Sequence, residues 1–355
     1  MSLLDHLIAR IDVDGPMSLA DYMAECLLNP RFGYYTTRDP LGAAGDFTTA
    51  PEISQMFGEL LGLCLAQSWL DQGAPAPFTL AELGPGRGTL MADLLRATRA
   101  VPGFHAALEL HLVEASPTLR EAQAKSLTGF EPIWHDTIDS LPQQPLFLVA
   151  NEFFDALPVR QFLRDGTGWR EKRIGMQNGT LTFGLGPLTE QPALSHRLAD
   201  TREGDLVELC EGAAPITAAI ATRIAAHGGA ALIVDYGDWR SLGDTLQALR
   251  DHAPCDPLEA PGCADLTTHV DFEVLTQAAQ AHGCAATRLN LQGVFLERLG
   301  ITDRARALAA PLEGDALDNL IAAHRRLTHP EEMGNLFKVL GLYPGNATPP
   351  PGLQS

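Results

Sequence analysis

The sequence has no excess of positive charge: its 355 residues include 25 Lys and Arg against 44 Asp and Glu, a formal net charge of −19. Nucleic-acid backbones are bound through clustered Lys and Arg, so this balance argues against a nucleic-acid partner. No apolar run approaches the roughly 20 residues that a membrane span needs. These shortages predict a protein with neither a nucleic-acid partner nor a membrane span.

The six cysteines form no C-x-x-C pair, and neither they nor the eleven histidines show the spacing of a zinc site. We therefore expect reduced thiols and no metal ion. The first residues read MSLLDHLIARIDVDGPMSLADYM, with acidic residues throughout and neither signal-peptide nor transit-peptide composition. These features predict a bacterial protein of the cytoplasm.

What the chain does contain is a dense glycine loop, FTLAELGPGRGTL, over residues 78–90. Gly84, Gly86 and Gly88 stand at alternate positions behind a short apolar run, so that backbone can come close to a ligand. A dinucleotide fold needs G-x-G-x-x-G, but here the third glycine comes one residue early. A Walker loop needs Gly-Lys-Ser or Gly-Lys-Thr, and no lysine precedes Thr89. By itself, the loop is also compatible with a tight turn that binds nothing.

An acidic residue, Glu82, stands two positions before Gly84 at the mouth of this loop. A carboxylate there would repel a pyrophosphate and would suit a ligand with an ammonium group. S-adenosylmethionine (SAM) is such a ligand, because it has an amino-acid end, a sulfonium cation and no phosphate. The loop and Glu82 together predict a SAM site.

Polar residues also end three later strand-like runs, HLVEAS, WHDT and LFLVANE. Glu114 can accept hydrogen bonds from both ribose hydroxyls, as an acidic residue does in dinucleotide folds. Asp136, with Thr137 beside it, is expected to reach the adenine amino group. Asn151 and Glu152 end the fourth strand, at the edge where open α/β sheets bind ligands. Glu114 or Asp136 alone could equally be a helix cap or a surface carboxylate; the series of strand ends favours the SAM site.

Short apolar runs alternate with helical patterns from Phe78 onward, which predicts an α/β fold with a parallel sheet covered on both faces. ATRLNLQGVFLERLG and GNLFKVLGLYP are predicted to be the two closing strands, and Ser18 is the predicted N-cap of a helix over SLADYMAECLL. Two hairpin dipeptides, Asp165-Gly166 and Asn178-Gly179, interrupt this alternation and predict an inserted antiparallel β arm after the fourth strand. The expected organisation is an N-terminal helical region with a lid loop at 1–75, a SAM-binding core at 76–158 and 216–345, a substrate arm at 159–215 and a disordered tail at 346–355.

Six segments resemble motifs of the MidA-like methyltransferases, relatives of the mitochondrial complex I assembly factor that methylates a protein arginine: AGDFTTAPEISQMFGE, ELGPGRGTL, VANEFFDALPV, LIVDYG, APGCADLTTHVDF and MGNLFKVLGL. The resemblance extends from about Ser18 to Tyr343. It implies a class I, Rossmann-like SAM-dependent methyltransferase fold with a seven-stranded, mostly parallel sheet and an N-terminal helical region. It also implies SAM as the cofactor, S-adenosyl-L-homocysteine as its product, and symmetric dimethylarginine on a protein.

The segment NEFFD after the fourth strand places Glu152 and Asp155 three positions apart. Arginine is a poor nucleophile because its guanidinium stays charged, with a pKa above about 12. Two carboxylates can hold the planar guanidinium and concentrate its charge, so that one nitrogen offers a lone pair. Arginine methyltransferases likewise carry two acidic residues on this loop, so the resemblance favours a guanidinium clamp. Asp155 could instead cap the turn before Pro158.

Two other segments are predicted to close the site. In AGDFTTAPE, Asp46, Phe47 and Thr48 precede a predicted helix and are expected to fold over SAM as a lid, with Asp46 among the catalytic residues. In ADLTTHVDF, His269 is a candidate acceptor for the proton lost after transfer, because the ordinary pKa of histidine is about 6.5. His269 could equally be a structural histidine that caps a helix starting near Asp271.

The leading functional hypothesis is an enzyme that methylates arginine in a protein, and the resemblance suggests a respiratory complex I subunit as the target. A SAM-binding assembly chaperone with little turnover is an alternative. A methyltransferase for a small molecule is another, with the arm at 159–215 shaping a closed pocket. The expected partner is a protein substrate that presents an arginine; whether the chain also forms a homodimer stays open.

Overall fold

The computed structural model describes residues 2–37 and 49–354. Within these ranges, α-helices cover Leu3–Asp14 (α1), Leu19–Leu28 (α2), Tyr34–Thr37 (α3), Ala50–Ile53 (α4), Gln55–Asp71 (α5), Thr89–Thr98 (α6), Phe104–Ala107 (α7), Pro117–Ser126 (α8), Ala213–His227 (α9), Phe272–Ala281 (α10), Gln292–Arg298 (α11), Ile301–Ala309 (α12), Asp315–Thr328 (α13) and Met333–Leu336 (α14). Short 3₁₀ helices cover Ile138–Ser140 and Pro192–Leu198. In this described part of the chain, no helix combines the length and the apolar character that crossing a bilayer requires.

The β-strands of the same ranges cover Met17–Ser18 (β1), Phe78–Leu83 (β2), Leu108–Val113 (β3), Ile133–His135 (β4), Leu146–Asn151 (β5), Arg160–Asp165 (β6), Gly168–Gln177 (β7), Thr180–Thr189 (β8), Leu206–Leu209 (β9), Gly229–Asp238 (β10), Gln247–Arg250 (β11), Ala253–Pro254 (β12), Asp265–Thr267 (β13), Val270–Asp271 (β14), Cys284–Ala286 (β15), Asn290–Leu291 (β16) and Phe337–Pro344 (β17).

The chain divides into two compact units. The core unit comprises Thr48–Phe154, Ala214–Trp239 and Asp271–Ser355, and the arm unit comprises Met1–Phe47, Asp155–Ala213 and Arg240–Val270. These bounds differ from the predicted domains, because α5 belongs to the core unit and residues 240–270 belong to the arm unit. Most residues of α5 are buried, in the same apolar cluster as those of α6, so α5 packs as part of the core. The strands β11, β12 and β13 instead pair with one another in a separate three-stranded sheet.

The core unit is built on a sheet with the strand order β15-β17-β10-β5-β2-β3-β4. The strands from β4 to β10 pair in parallel, and β17 runs antiparallel to both β10 and β15. Every residue of β2 and β5 is buried, as expected for central strands of a parallel sheet that is covered on both faces. Because neighbouring parallel strands end at the same edge, the residues that follow β2, β3, β4 and β5 are brought side by side.

The C-terminal part of the core unit differs from the sequence prediction in one element. The segment ATRLNLQGVFLERLG was expected to be a strand, but only its beginning forms β15 and β16, and the rest forms α11. Gln292, Phe295 and Leu296 of α11 are all fully buried, and their spacing of three and four residues is the period of a helix. The predicted final strand in GNLFKVLGLYP is confirmed as β17.

The segment at 346–354, which was predicted to be disordered, is packed within the core unit. Leu353 is buried in the same apolar cluster as Phe295. The carbonyl of Gly352 accepts a hydrogen bond from Arg298 (3.1 Å), and the backbone N–H of Arg288 donates to the carbonyl of Gln354 (2.8 Å). Buried Leu353, together with the hydrogen bonds of Gly352 and Gln354, orders this short segment. The composition of the segment, rich in proline and polar residues, does not indicate these contacts.

In the arm unit, β6, β7 and β8 form successive antiparallel hairpins, and β9 pairs with β6. The hairpin turns lie at Asp165-Gly166 and Asn178-Gly179, and the backbone is left-handed at Gly166, Asn178 and Gly179, as such turns require. Ser18 is the predicted N-cap of α2, and its hydroxyl accepts a hydrogen bond from the backbone N–H of Asp21 (3.0 Å).

Candidate active site

The glycine loop connects the end of β2 to the start of α6. The N–H of Gly84 donates to the carbonyl of Val113 in the neighbouring β3 (3.0 Å), which fixes the first residue of the loop to the sheet. Gly84, Gly86 and Gly88 have φ angles of 60°, 55° and 81°, and Gly88 is the N-cap of α6. Residues with a Cβ rarely adopt this left-handed conformation. The alternating glycines therefore follow from the backbone path of the loop.

The carboxyl group of Glu82 is buried at the end of β2. Its side chain is in the interior, at 3% relative exposure, and among the described residues no hydrogen-bond partner reaches its Oε2. Burial, together with the charge of the nearby Glu114, raises the pKa of Glu82 to about 8. A buried polar atom without a partner is unfavourable, so this oxygen is suited to a donor that a ligand brings.

Glu114 follows β3 and has both carboxylate oxygens engaged. Oε1 accepts from the backbone N–H of Ser116 (2.8 Å), and Oε2 accepts from Nε2 of Gln123 (3.2 Å). Burial raises the pKa of Glu114, and these hydrogen bonds oppose the rise. Each carboxylate oxygen has a second lone pair, so Glu114 can still accept hydrogen bonds from hydroxyl groups.

Asp136 directly follows β4 and is far more open to solvent. Its side chain is 85% exposed and forms an ion pair with Arg120 (2.5 Å). The guanidinium of Arg120 also donates to the backbone carbonyl of Glu114, so it links the residues that follow β3 and β4. The carbonyl of Thr137 accepts from the hydroxyl of Ser140 (3.0 Å), which fixes the loop after Asp136.

Asn151 and Glu152 stand at the end of β5. Asn151 is buried, and within the described residues its Oδ1 has no hydrogen-bond partner, while its Nδ2 donates to Oε1 of Glu152 (3.1 Å). Oε1 of Glu152 also accepts from the N–H of Ala50 (3.2 Å), the first residue of α4. The φ angle of Glu152 is 49°, a conformation that is uncommon for a residue with a Cβ and is often found at functional sites.

A buried acid, Asp235 of β10, holds the chain just after Glu152. One of its oxygens, Oδ2, accepts from the N–H groups of Phe153 (3.2 Å) and Phe154 (3.0 Å), and Oδ1 accepts from Tyr236 (2.9 Å). The N–H of Glu152 itself donates to the carbonyl of Val234 (2.9 Å). Asp235 belongs to the family motif LIVDYG, for which no role was predicted from the sequence. An acid within an otherwise apolar strand was the signal that could have identified it.

Two predicted catalytic residues, Asp155 and His269, belong to the arm unit. Asp155 is buried, and its carbonyl accepts from the N–H of Thr268 (3.0 Å). The N–H of His269 donates to the hydroxyl of Thr245 (2.8 Å). The helix that starts after it, α10, is capped by the side chain of Asp271, which accepts from the N–H of Val274 (3.2 Å).

The predicted lid residues lie outside the part of the chain that the structure describes. This applies to Asp46, Phe47 and Thr48. The description resumes at Thr49, the N-cap of α4, and Pro51 stands in the first turn of that helix. The helix predicted after the lid is thus confirmed.

Comparison with known proteins places this geometry in a family. Residues 60–290 match a family model described as "Putative S-adenosyl-L-methionine-dependent methyltransferase". The chain is 38% identical to the mitochondrial protein arginine methyltransferase NDUFAF7 of Danio rerio, over 95% of this chain and 86% of the relative. It is 37% identical to the human protein of the same name, over 96% of this chain and 83% of the relative.

A solved structure supports the same assignment. A crystal structure of a Burkholderia thailandensis protein bound to S-adenosyl-homocysteine has 29% sequence identity to this chain and a TM-score of 0.84. The similarity covers 98% of this chain and 92% of that protein. The class I methyltransferase-like fold expected from the sequence is therefore confirmed.

The comparisons also correct the predicted location. The composition of the first residues predicted a bacterial protein of the cytoplasm. The relatives from Danio rerio, Xenopus tropicalis, Bos taurus and human are all named as mitochondrial proteins. The cytoplasmic prediction is therefore wrong, and the composition of residues 1–23 was too weak a basis for it.

The glycine loop, the buried Glu82 at its mouth and Glu114 after the neighbouring strand lie together at one edge of the core sheet. A family model matches residues 60–290, and relatives match nearly the whole chain. The chain belongs to the S-adenosyl-L-methionine-dependent methyltransferase family, and it is an enzyme whose cofactor is S-adenosyl-L-methionine.

Proposed function

We propose that this enzyme methylates the guanidinium group of an arginine in a protein substrate. Relatives that match nearly the whole chain are named protein arginine methyltransferases. The observation that carries the proposal is Glu152, a carboxylate held in a left-handed backbone conformation at the end of β5. A carboxylate at this position suits a cationic acceptor better than a neutral one.

The residues at the sheet edge fit SAM. The unpartnered Oε2 of Glu82 is suited to the ammonium group, and Glu114 to the ribose hydroxyls. Gly84, Gly86 and Gly88 let the backbone come close to the ligand. Asp136 and Thr137 are proposed to contact the adenine, and Asn151 has a buried acceptor, Oδ1, for a ligand donor. We assign these roles by the chemistry of each group.

In the proposed reaction the protein binds the guanidinium of the substrate arginine, orients it toward the methyl group and accepts its proton. SAM supplies an electrophilic methyl group and leaves as S-adenosyl-L-homocysteine. Glu152 binds the guanidinium and concentrates its charge, so that one nitrogen forms the new N–C bond with its lone pair and gives up one proton. Asp155 is proposed as a second carboxylate for the guanidinium and His269 as the acceptor of the proton. Positioning of the nitrogen can supply a large part of the rate enhancement.

Glu152 is well suited to this role because its carboxylate is fixed before any substrate arrives. Asn151 and the N–H of Ala50 both hold Oε1, and Asp235 fixes the backbone that follows. A side chain that is already ordered loses little entropy when it binds a substrate.

The finer assignments of fold and partner are part of this proposal. We interpret the seven strands from β15 to β4 as a complete class I sheet, and residues 159–215 as an inserted arm that binds the protein substrate. The family resemblance makes a respiratory complex I subunit the proposed target and symmetric dimethylarginine the proposed product.

One experiment tests the proposal directly. The enzyme and labelled SAM are incubated with a lysate of cells that lack the protein, and the label is located by digestion and mass spectrometry; the Glu152→Gln enzyme is the control. Label on a protein arginine with wild-type enzyme alone supports the proposal. Label in small molecules, or SAM binding without any transfer, would replace it with a small-molecule methyltransferase or an assembly chaperone.

A further inference from the structure

Gln123 of α8 is a fully buried polar residue that touches three parts of the sheet edge. Its Nε2 donates to the carbonyl of Gly86 in the glycine loop (2.8 Å) and to Oε2 of Glu114 (3.2 Å). Its Oε1 accepts from the indole N–H of Trp134 in β4 (2.8 Å). The relative exposure of Gln123 is 0%, so no water competes for these hydrogen bonds. One amide thus connects elements that follow or belong to β2, β3 and β4.

Chemistry allows only one orientation of this amide. The indole nitrogen of Trp134 can only donate, so it must face the amide oxygen. The carbonyl of Gly86 and the carboxylate of Glu114 can only accept, so they must face the amide nitrogen. In a flipped amide, the NH2 group would face the indole N–H of Trp134, and the amide oxygen would face the carbonyl of Gly86 and the carboxylate of Glu114. The three partners therefore fix Gln123, and Gln123 in turn fixes them.

The contacts of Glu114 and of the glycine loop show what Gln123 adds. Oε1 of Glu114 is already held by the N–H of Ser116, two residues along the same loop. Gln123 links the Glu114 side chain to the carbonyl of Gly86, in addition to the hydrogen bond from the Gly84 N–H to the Val113 carbonyl that joins the loop to β3. The backbone of α8 also comes close there, since a Cβ on Gly88 would lie 3.4 Å from the Cα of Gln123.

We propose that Gln123 is a positioning residue of the SAM site, which sets the distance between the glycine loop and the acid that binds the ribose. The inference rests on the proposed role of Glu114 toward SAM, but not on the identity of the methyl acceptor. Gln123 does not itself contact the reacting atoms. The N–H of its neutral amide also stabilises the negative charge of Glu114 through the hydrogen bond to Oε2. A carboxylate at the same position would instead add a second negative charge.

Three variants separate the contributions of shape, hydrogen bonding and charge. Gln123→Met keeps the length of the side chain and removes all three hydrogen bonds, the two that the amide donates and the one that it accepts from Trp134. Gln123→Glu keeps the shape and places a second carboxylate beside Glu114. Trp134→Phe keeps an aromatic ring but removes the N–H that donates to the amide oxygen, and it serves as the matched control. Each variant is examined for its melting temperature, its affinity for S-adenosyl-L-homocysteine by calorimetry, and its kcat and KM for SAM.

We expect Gln123→Met to raise the dissociation constant for S-adenosyl-L-homocysteine and the KM for SAM by about tenfold. This is the effect of losing the two donated hydrogen bonds, each of ordinary strength. The kcat should change less than threefold. Trp134→Phe should weaken binding less than threefold. Gln123→Glu should bind worse than Gln123→Met at pH 8 and recover relative to wild type as the pH falls to 6, because a protonated acid can donate a hydrogen bond. Gln123→Met should show no such recovery.

Two results would overturn the inference. One is a folded Gln123→Met enzyme that binds S-adenosyl-L-homocysteine within twofold of wild type; the other is a loss of kcat without a change in KM. If Gln123→Met does not fold, the inference is tested by the affinity of Gln123→Glu for S-adenosyl-L-homocysteine between pH 8 and pH 6. A ratio of its dissociation constant to that of wild type that does not change with pH would then refute the inference. Failure of the wild-type protein to bind S-adenosyl-L-homocysteine would be a different result, since it would refute the cofactor site itself.

Discussion

The carboxyl group of Glu82 is buried beside that of Glu114 at the ends of two neighbouring strands. Burial and the charge of Glu114 together raise the pKa of Glu82 to about 8. The unliganded enzyme therefore carries a proton on Glu82 at neutral pH. An ammonium group beside Glu82 would favour the ionised form.

This relationship predicts that ligand binding releases a proton. At pH 6.5, binding of S-adenosyl-L-homocysteine should release about one proton from Glu82, because the ligand's ammonium lowers the pKa of the carboxyl. Calorimetry in two buffers of different ionisation enthalpy measures the number of protons. Glu82→Gln should bind more weakly and release none. Equal proton release by the wild-type and Glu82→Gln enzymes would show that another group ionises.

The same pKa predicts how the stability of the unliganded protein varies with pH. Glu82 holds its proton more tightly when folded than when unfolded, so its contribution is fully present below the ordinary pKa of 4.5 and is lost as the pH rises toward about 8. Between pH 6 and 8, wild type should lose up to about 1.4 kcal/mol of unfolding free energy per pH unit relative to Glu82→Gln. Denaturant titrations of both proteins measure this difference. If the unfolding free energies of wild type and Glu82→Gln varied with pH in parallel, that result would contradict the assigned pKa shift.

Replacement of Glu152 should separate catalysis from cofactor binding. Glu152→Gln keeps the size of the side chain but removes the charge that binds a guanidinium, so kcat should fall by at least about 100-fold. The affinity for SAM should stay within a few-fold of wild type, as measured by calorimetry. Glu121→Gln, at an exposed position of α8, is the matched control and should behave as wild type. Equal losses of binding and transfer in Glu152→Gln would instead assign Glu152 to the cofactor site.

The backbone of the glycine loop should not tolerate a branched residue. Gly86 has a φ of 55°, where valine costs roughly 1–2 kcal/mol or adopts another conformation, so Gly86→Val should abolish SAM binding. Gly166→Val is the matched control, because Gly166 has a φ of 56° in the turn between β6 and β7. Both variants should lower the melting temperature, but only Gly86→Val should lose affinity in calorimetry. Normal affinity in Gly86→Val would show that the loop does not contact the cofactor.

The strand ends were predictable from sequence because each is marked locally. β2 (FTLAEL) and β5 (LFLVAN) begin with mostly apolar residues, and the polar residue near the end of each, Glu82 or Asn151, is visible without any knowledge of the fold. The glycines of the loop were visible for the same reason. Their common location at one sheet edge then follows from parallel pairing.

Residues whose role depends on distant partners could not be predicted. Gln123 stands in SPTLREAQAKS, where a glutamine looks like one more surface residue of a polar helix. Only the fold brings it to Gly86 and Trp134. The contact between Ala50 and Glu152 joins residues 102 positions apart, and the packing of Leu353 likewise depends on tertiary structure. Local patterns contain no information about such pairings.

A crystal structure of the enzyme with S-adenosyl-L-homocysteine tests the central claim most directly. The account predicts density against the carboxyl ends of β2, β3 and β5, with the ligand's amino group beside Glu82 and its ribose hydroxyls beside Glu114. Density at any other place, or a crevice that stays empty at saturating ligand, would contradict it.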